Sequence, residues 1–124
     1  MIFGIGTDII QIHRVQKSIE TIPGFTEKIF SATEIEYCQT KKNKYEHFAA
    51  RFAAKEAFFK AIGTGWRGGL AFSEIEINND DLGKPFIKLY GRSKIFAEEN
   101  KFERIHLSMT HIQELAQAFV IIEI

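Results

Sequence analysis

One stretch constrains the fold of this chain more than any other: HFAARFAAKEAFFKAIG at residues 47–63. Alanine and long straight-chain side chains favour the helix and no proline interrupts them, so a long helix is expected over Phe48–Ala61. Asn43 and Glu46 are start signals upstream, and Gly63 is a natural stop. Four charges, Arg51, Lys55, Glu56 and Lys60, fall within three turns of it. Glu56 and Lys60 are i,i+4 neighbours on one stripe with Phe48 and Phe52. Read plainly, that is a surface ion pair worth about 0.3–0.5 kcal/mol. A carboxylate in line with two phenylalanines also points toward the protein, where a bare charge is costly and needs a partner. Lys60 and a metal ion both qualify, and position alone does not choose between them.

The remaining elements read as follows. Met1–Gly6 is a short apolar run ending in glycine, expected to be a buried strand. Ile12, Val15 and Ile19 recur at helical spacing, with Arg14 and Lys17 on another face, until Pro23-Gly24 stops the helix. Ser31 and Glu34 form a capping box for a helix running from Ala32 toward Thr40. The period then changes. In FSEIEIN, Glu74 and Glu76 alternate with Ile75 and Ile77, as in a half-buried strand beginning near Phe72. NNDDLGKP is a turn, Phe86–Leu89 a strand, and Ser93–Glu99 a short helix. Ile105, Leu107 and Met109 alternate with polar residues, and Ala116–Ile122 is a final apolar strand. Helices grouped early and strands grouped late, without a steady βαβ rhythm, indicate an α+β fold. Its sheet is expected to be largely antiparallel and packed on the long central helix. At 124 residues the chain is expected to form one domain, 1–124.

Composition narrows the function classes. No apolar run approaches the roughly 20 residues that span a bilayer. The opening MIFGIGTDII lacks a basic n-region and a small-residue cleavage site, so a secretory leader is not expected. The lone Cys38 excludes an internal disulfide framework and any multi-cysteine metal site, and a cytoplasmic location fits. A formal net charge of zero gives nucleic-acid binding no general support. Arg14 with Lys17, and Lys41, Lys42 and Lys44, still form local basic patches. These are either solvated surface or docking points for an acidic partner or a phosphate.

Several residues can carry chemistry. In GTDII, Asp8 falls just past the expected strand end, where it either caps the next helix or meets a ligand. Mg²⁺ is commonly held by one or two carboxylates with water and phosphate oxygens, and Asp8 with Glu56 would suffice if they meet. GTGWRGG at 63–69 matches no phosphate-loop fingerprint and reads first as a helix stop and turn. Leu82–Pro85 reads as a turn exposing Lys84, and His111 as a strand-end histidine, structural or solvated. Cys38 has no signalled activator.

In combination the motifs say more. GTDIIQIHR at 6–14, RFAAKEAFFKAIGTG at 51–65, RGGLAFSEIEI at 67–77, GKP at 83–85 and SMTH at 108–111 follow in order across almost the whole chain. Together they resemble the holo-acyl-carrier-protein synthase family, the short phosphopantetheinyl transferases. The resemblance implies transfer of phosphopantetheine from coenzyme A to a serine of apo acyl carrier protein, releasing adenosine 3′,5′-bisphosphate, in fatty acid biosynthesis. It implies that Asp8 and Glu56 bind Mg²⁺ and that Lys60 serves the leaving phosphate, with either Glu56 or a metal-bound water as base. Arg51, Gly63, Gly65, Lys84, Pro85 and His111 would line the coenzyme A site, with Lys42–Lys44 near its 3′-phosphate. Arg14 and Lys17 would face the acidic helix of the carrier protein. A homotrimer with each site between two subunits is implied too. The rival readings are a catalytically silent module binding coenzyme A or acyl carriers, and a purely structural trimer.

Overall fold

The computed structural model of the protein describes residues 1–64 and 69–124. Chain order is β1 (Ile2–Gln11), α1 (Ile12–Thr21), α2 (Phe25–Ile29), α3 (Ala32–Gln39) and α4 (Lys44–Ile62). A 3₁₀ turn (Phe72–Glu74), β2 (Ile75–Asn79), β3 (Pro85–Leu89), α5 (Gly91–Glu99), β4 (Arg104–His111) and β5 (Leu115–Glu123) follow. The expected α+β class is what forms. Two antiparallel sheets, one ordered β1-β5-β4 and the other β2-β3, pack with the helices around α4.

Helix α4 is longer than expected at its start and closes at Gly63, whose left-handed φ of 80° suits glycine. Twelve of its nineteen residues are buried, among them Arg51 and Lys55, so it is surrounded rather than amphipathic. The Ser31–Glu34 capping box forms as read, with each backbone N–H donating to the other's side chain. Glu34 does more than cap. Its Oε1 accepts from Lys55 Nζ at 2.7 Å and its Oε2 from the Ile77 backbone N–H at 2.9 Å. Lys55 Nζ also donates to the carbonyls of Phe72, at 2.9 Å, and Ile75, at 2.6 Å. Burial pulls the Lys55 ammonium below its ordinary pKa, and Glu34 opposes this. With three donors matched to three acceptors, this buried pair meets the condition under which a buried charge is tolerated.

Two strand readings change. β1 continues through Asp8 to Gln11, and its residues alternate between the α4 side and an open outer face that exposes Ile5 and Ile9. The expected half-buried strand from Phe72 instead begins with the 3₁₀ turn. In β2 the consecutive residues Ile75, Glu76 and Ile77 are all buried. Glu76 is accommodated because it accepts from Asn78 Nδ2 at 2.8 Å and from Tyr90 Oη at 3.3 Å. Among the described residues, no helix is long and apolar enough to cross a membrane.

What seats β1 on α4 is a contact between backbones. A Cβ built on Gly4 would lie 1.8 Å from the Ala61 carbonyl oxygen, and one on Gly6 would lie 1.9 Å from that of Ala57. Small residues on both sides, glycine on the strand and alanine on the helix, allow this approach. Asp8 follows on the same face of β1, because strand side chains alternate. Gly6→Ala therefore forces strand and helix apart. We expect a loss of roughly 3 kcal/mol or more, a fall in Tm of ~10 °C, measured by thermal and urea denaturation; unchanged stability would refute the close-approach account.

Candidate active site

Asp8 on β1 and Glu56 and Lys60 on α4 line one cleft of about 460 Å³, together with Arg14 of α1 and the rings of Phe25 and Phe52. Lys60 turns away from an i,i+4 pairing and donates to Asp8 Oδ1 at 2.9 Å. Its side chain is 55 % exposed against 15 % for Asp8, so the pair adds little stability and the ammonium is free to move. Asp8 is not a helix cap: it lies inside β1, and Gln11 holds the N-cap position of α1.

Glu56, one turn before Lys60, is half-buried. Burial first, and then the nearby charge of Asp8, push its carboxyl above the usual range, while Lys60 opposes them. The two carboxylates are thus close enough to repel. Among the described residues, no cluster of three or more His, Cys, Asp or Glu is arranged to hold a metal. A site with two protein carboxylates, open to water and to a ligand's phosphates, fits a hard divalent cation such as Mg²⁺. A cation there would offset the repulsion that raises Glu56. The cleft's phenylalanines continue a stack, Phe25–Phe52 at 6.3 Å and Phe52–Phe72 at 5.9 Å between ring centroids.

The other expected site residues lie elsewhere on the chain. Lys17 is exposed on α1 and is not among the residues lining the cleft. Gly63 is exposed at the end of α4, and Gly65 lies outside the described residues. Arg51 is 2 % exposed, with Nη2 donating to Asn79 Oδ1 at 2.8 Å and its guanidinium stacked on the Tyr37 ring. Lys44 lines a second hollow of about 280 Å³ with Lys42, Glu46 and Gln113. His111, at the end of β4, has Nδ1 3.5 Å from Glu46 Oε2. Lys84 and Pro85 line a third hollow, of about 320 Å³, with Asp80, Phe86 and His106. A single chain therefore brings Asp8, Glu56, Lys60 and Arg14 into one cleft and leaves the Lys44, His111 and Lys84–Pro85 groups apart from it.

Two features of the site escaped the sequence reading. The Gly4/Gly6 contact has a visible signal, since glycines two apart on a strand can face alanines four apart on a helix. The Glu34–Lys55 pair has none beyond the capping box, because its partners are 21 positions apart.

The chain as a whole is similar to proteins of one family. A family model described as the 4′-phosphopantetheinyl transferase superfamily matches residues 4–120. A Clostridium novyi protein named holo-[acyl-carrier-protein] synthase is 47 % identical over 124 residues, spanning 100 % of this chain and 89 % of its own. The crystal structure of holo-[acyl-carrier-protein] synthase from Neisseria meningitidis superposes with a TM-score of 0.91, at 37 % identity over 99 % of both chains. A synthase from Bacillus anthracis in complex with CoA (3′,5′-ADP) gives a TM-score of 0.82, at 37 % identity, over 98 % of this chain and 96 % of the other. With a match running from the first strand to the last, this chain belongs to the 4′-phosphopantetheinyl transferase superfamily.

Proposed function

We propose that the protein is a holo-[acyl-carrier-protein] synthase that uses Mg²⁺ to transfer 4′-phosphopantetheine from coenzyme A to a serine of apo acyl carrier protein, in fatty acid biosynthesis. The observation that carries this reading is the meeting of Asp8, Glu56 and Lys60 in one cleft of a chain with this family membership. A cytoplasmic location, compatible with the single free Cys38, belongs to the same reading.

In the reaction, the serine oxygen bonds to the β-phosphorus of coenzyme A as the phosphoanhydride bond to the α-phosphate breaks. The serine proton is lost and adenosine 3′,5′-bisphosphate leaves. Such a transfer depends mostly on alignment and on neutralising charge developing on oxygen. Mg²⁺, held by Asp8 and Glu56, would supply that neutralisation at the pyrophosphate. Lys60, released from Asp8, brings its ammonium to the leaving phosphate. Glu56, at the edge of the same cleft, would take the serine proton. Arg14 and Lys17, both exposed on α1, offer cations to an acidic helix of the carrier protein.

Coenzyme A would lie against Arg51, Gly63, Gly65, Lys84, Pro85, His111 and Lys44. Because Lys44 and the Lys84–Pro85 pair line separate hollows of one chain, both apart from the carboxylate cleft, we read the assembly as a homotrimer in which a neighbouring copy completes each cleft. The outer face of the β1-β5-β4 sheet supports this, exposing Ile5 at 54 %, Ile9 at 59 % and Phe119 at 42 %.

Asp8→Asn and Glu56→Gln are each expected to lower the rate of carrier labelling by coenzyme A at least ~100-fold. Chelation should abolish wild-type labelling, and full activity of either variant in excess chelator would sink the metal assignment. Without metal, Glu56→Gln should raise Tm at neutral pH. A carboxyl whose pKa is raised on folding costs stability once ionised, so the gain should vanish at acid pH, where Glu56 is protonated in both states. Arg14→Ala should raise KM for the carrier protein ~5-fold with little change for coenzyme A; an unchanged carrier KM counts against that docking face. Light scattering should give three times the chain mass for the wild type and a lower mass for Ile5→Glu; a monomeric wild type would refute the trimer.

A further inference from the structure

A second group of titratable side chains is gathered at the first turns of α4, apart from the carboxylate cleft. Its centre is the Tyr37 ring on α3. Arg51 Cζ stands 4.3 Å from the ring centroid and Lys41 Nζ 4.5 Å from it. His47 meets the same ring edge-on at 5.8 Å, and His111 of β4 meets His47 at 6.2 Å. Two cations and one imidazole thus meet one aromatic ring, and a second imidazole adjoins the first. Among the described residues, the carboxylate acting on His47 is Glu46, which also faces His111 at 3.5 Å. Arg51 has no carboxylate partner within ion-pair distance among the described residues. It is 2 % exposed, bonds to Asn79 through Nη2, and has no partner for Nε among the described residues. A buried guanidinium left this way is a standing demand for an anion.

Burial, followed by the charges of Arg51, His111 and Lys41, holds the His47 imidazole below its ordinary range, with Glu46 opposing. In the free protein at neutral pH it is therefore uncharged. A dianionic phosphate beside it would reverse the sign of the local field and favour the imidazolium.

We propose that His47 is a further binding residue of the coenzyme A site, taking up a proton as a phosphate monoester, the 3′-phosphate, settles beside it. The inference rests on the synthase reading for its ligand but adds a residue and a proton to it. His47 acts on affinity and takes no part in the transfer step. Tyr37, between the cations, holds them at one spacing by cation–π contact.

The test is calorimetric titration of the whole protein with coenzyme A and with dephospho-coenzyme A, which lacks the 3′-phosphate. It is run from about pH 6.5 to 8.5 in buffers of different ionisation enthalpy, so that protons taken up are counted. For the wild type, coenzyme A binding should weaken ~5-fold or more as pH rises across this range. Proton uptake should accompany coenzyme A and not dephospho-coenzyme A. In His47→Phe, which keeps an aromatic edge against Tyr37, both the slope and the uptake should disappear. His47→Gln should behave alike and serves if the first variant fails to fold. A wild-type slope retained in either variant would assign the proton to His111 and overturn the proposal, as would binding independent of pH in the wild type. If neither ligand binds the wild type, the synthase reading falls as well. Tight coenzyme A binding indifferent to His47 overturns this inference alone.

Discussion

The structure depends on how closely a strand can lie on a helix. Gly4 and Gly6 let the backbone of β1 rest on the carbonyls of Ala57 and Ala61, with no side chain between. Ordinary side chains would hold the two elements farther apart, as they do where sheets pack face to face about 10 Å apart. The next inward residue of β1 is Asp8, and the neighbouring stripe of α4 carries Glu56 and Lys60. Short-range electrostatics between them follows directly from this backbone contact. The cleft's chemistry is therefore set by residues that have no chemistry of their own.

Helix α4 carries two charged i,i+4 pairs and uses them differently. Arg51 and Lys55 turn under α3 and β2, where Lys55 is fixed by Glu34 and two carbonyls. Glu56 and Lys60 turn toward β1 and remain accessible. Burial thus divides similar residues into a rigid structural set and a responsive set. The first fixes the rotation of α4 about its axis, and that rotation aims the second into the cleft. The same orientation brings His47 and Arg51 to the Tyr37 ring.

Much of the architecture was legible from periodicity and end signals. The capping box at Ser31, the stop at Gly63 and the alternation of Ile105, Leu107 and Met109 each report a local preference that the tertiary structure keeps. Failures came where a distant partner changed the rule. Glu76 reads as a solvent-facing residue until Asn78 and Tyr90 satisfy it in the interior. Asp8 reads as lying past a strand end because the apolar run stops at Gly6, yet β1 continues through it and pairs it with Ala118 of β5. The carboxylate pair was legible only as two separate possibilities, since spacing along a chain says nothing of meeting in space. The polar cluster around Tyr37 joins α3, α4 and β4, and no periodic pattern signals such a junction.

The pairing of β1 with β5 also sets the order in which the site can be assembled. Ile2 faces Glu123 and Asp8 faces Ala118, so the strand bearing the first carboxylate takes its ladder partner from the opposite end of the chain. During synthesis α4, with Glu56 and Lys60, is complete while that partner has yet to be made. Closing a loop of this length carries an entropic penalty before any contact rewards it, a feature that slows folding. The ladder that holds the Asp8 strand in place is thus completed only when β5 docks on it.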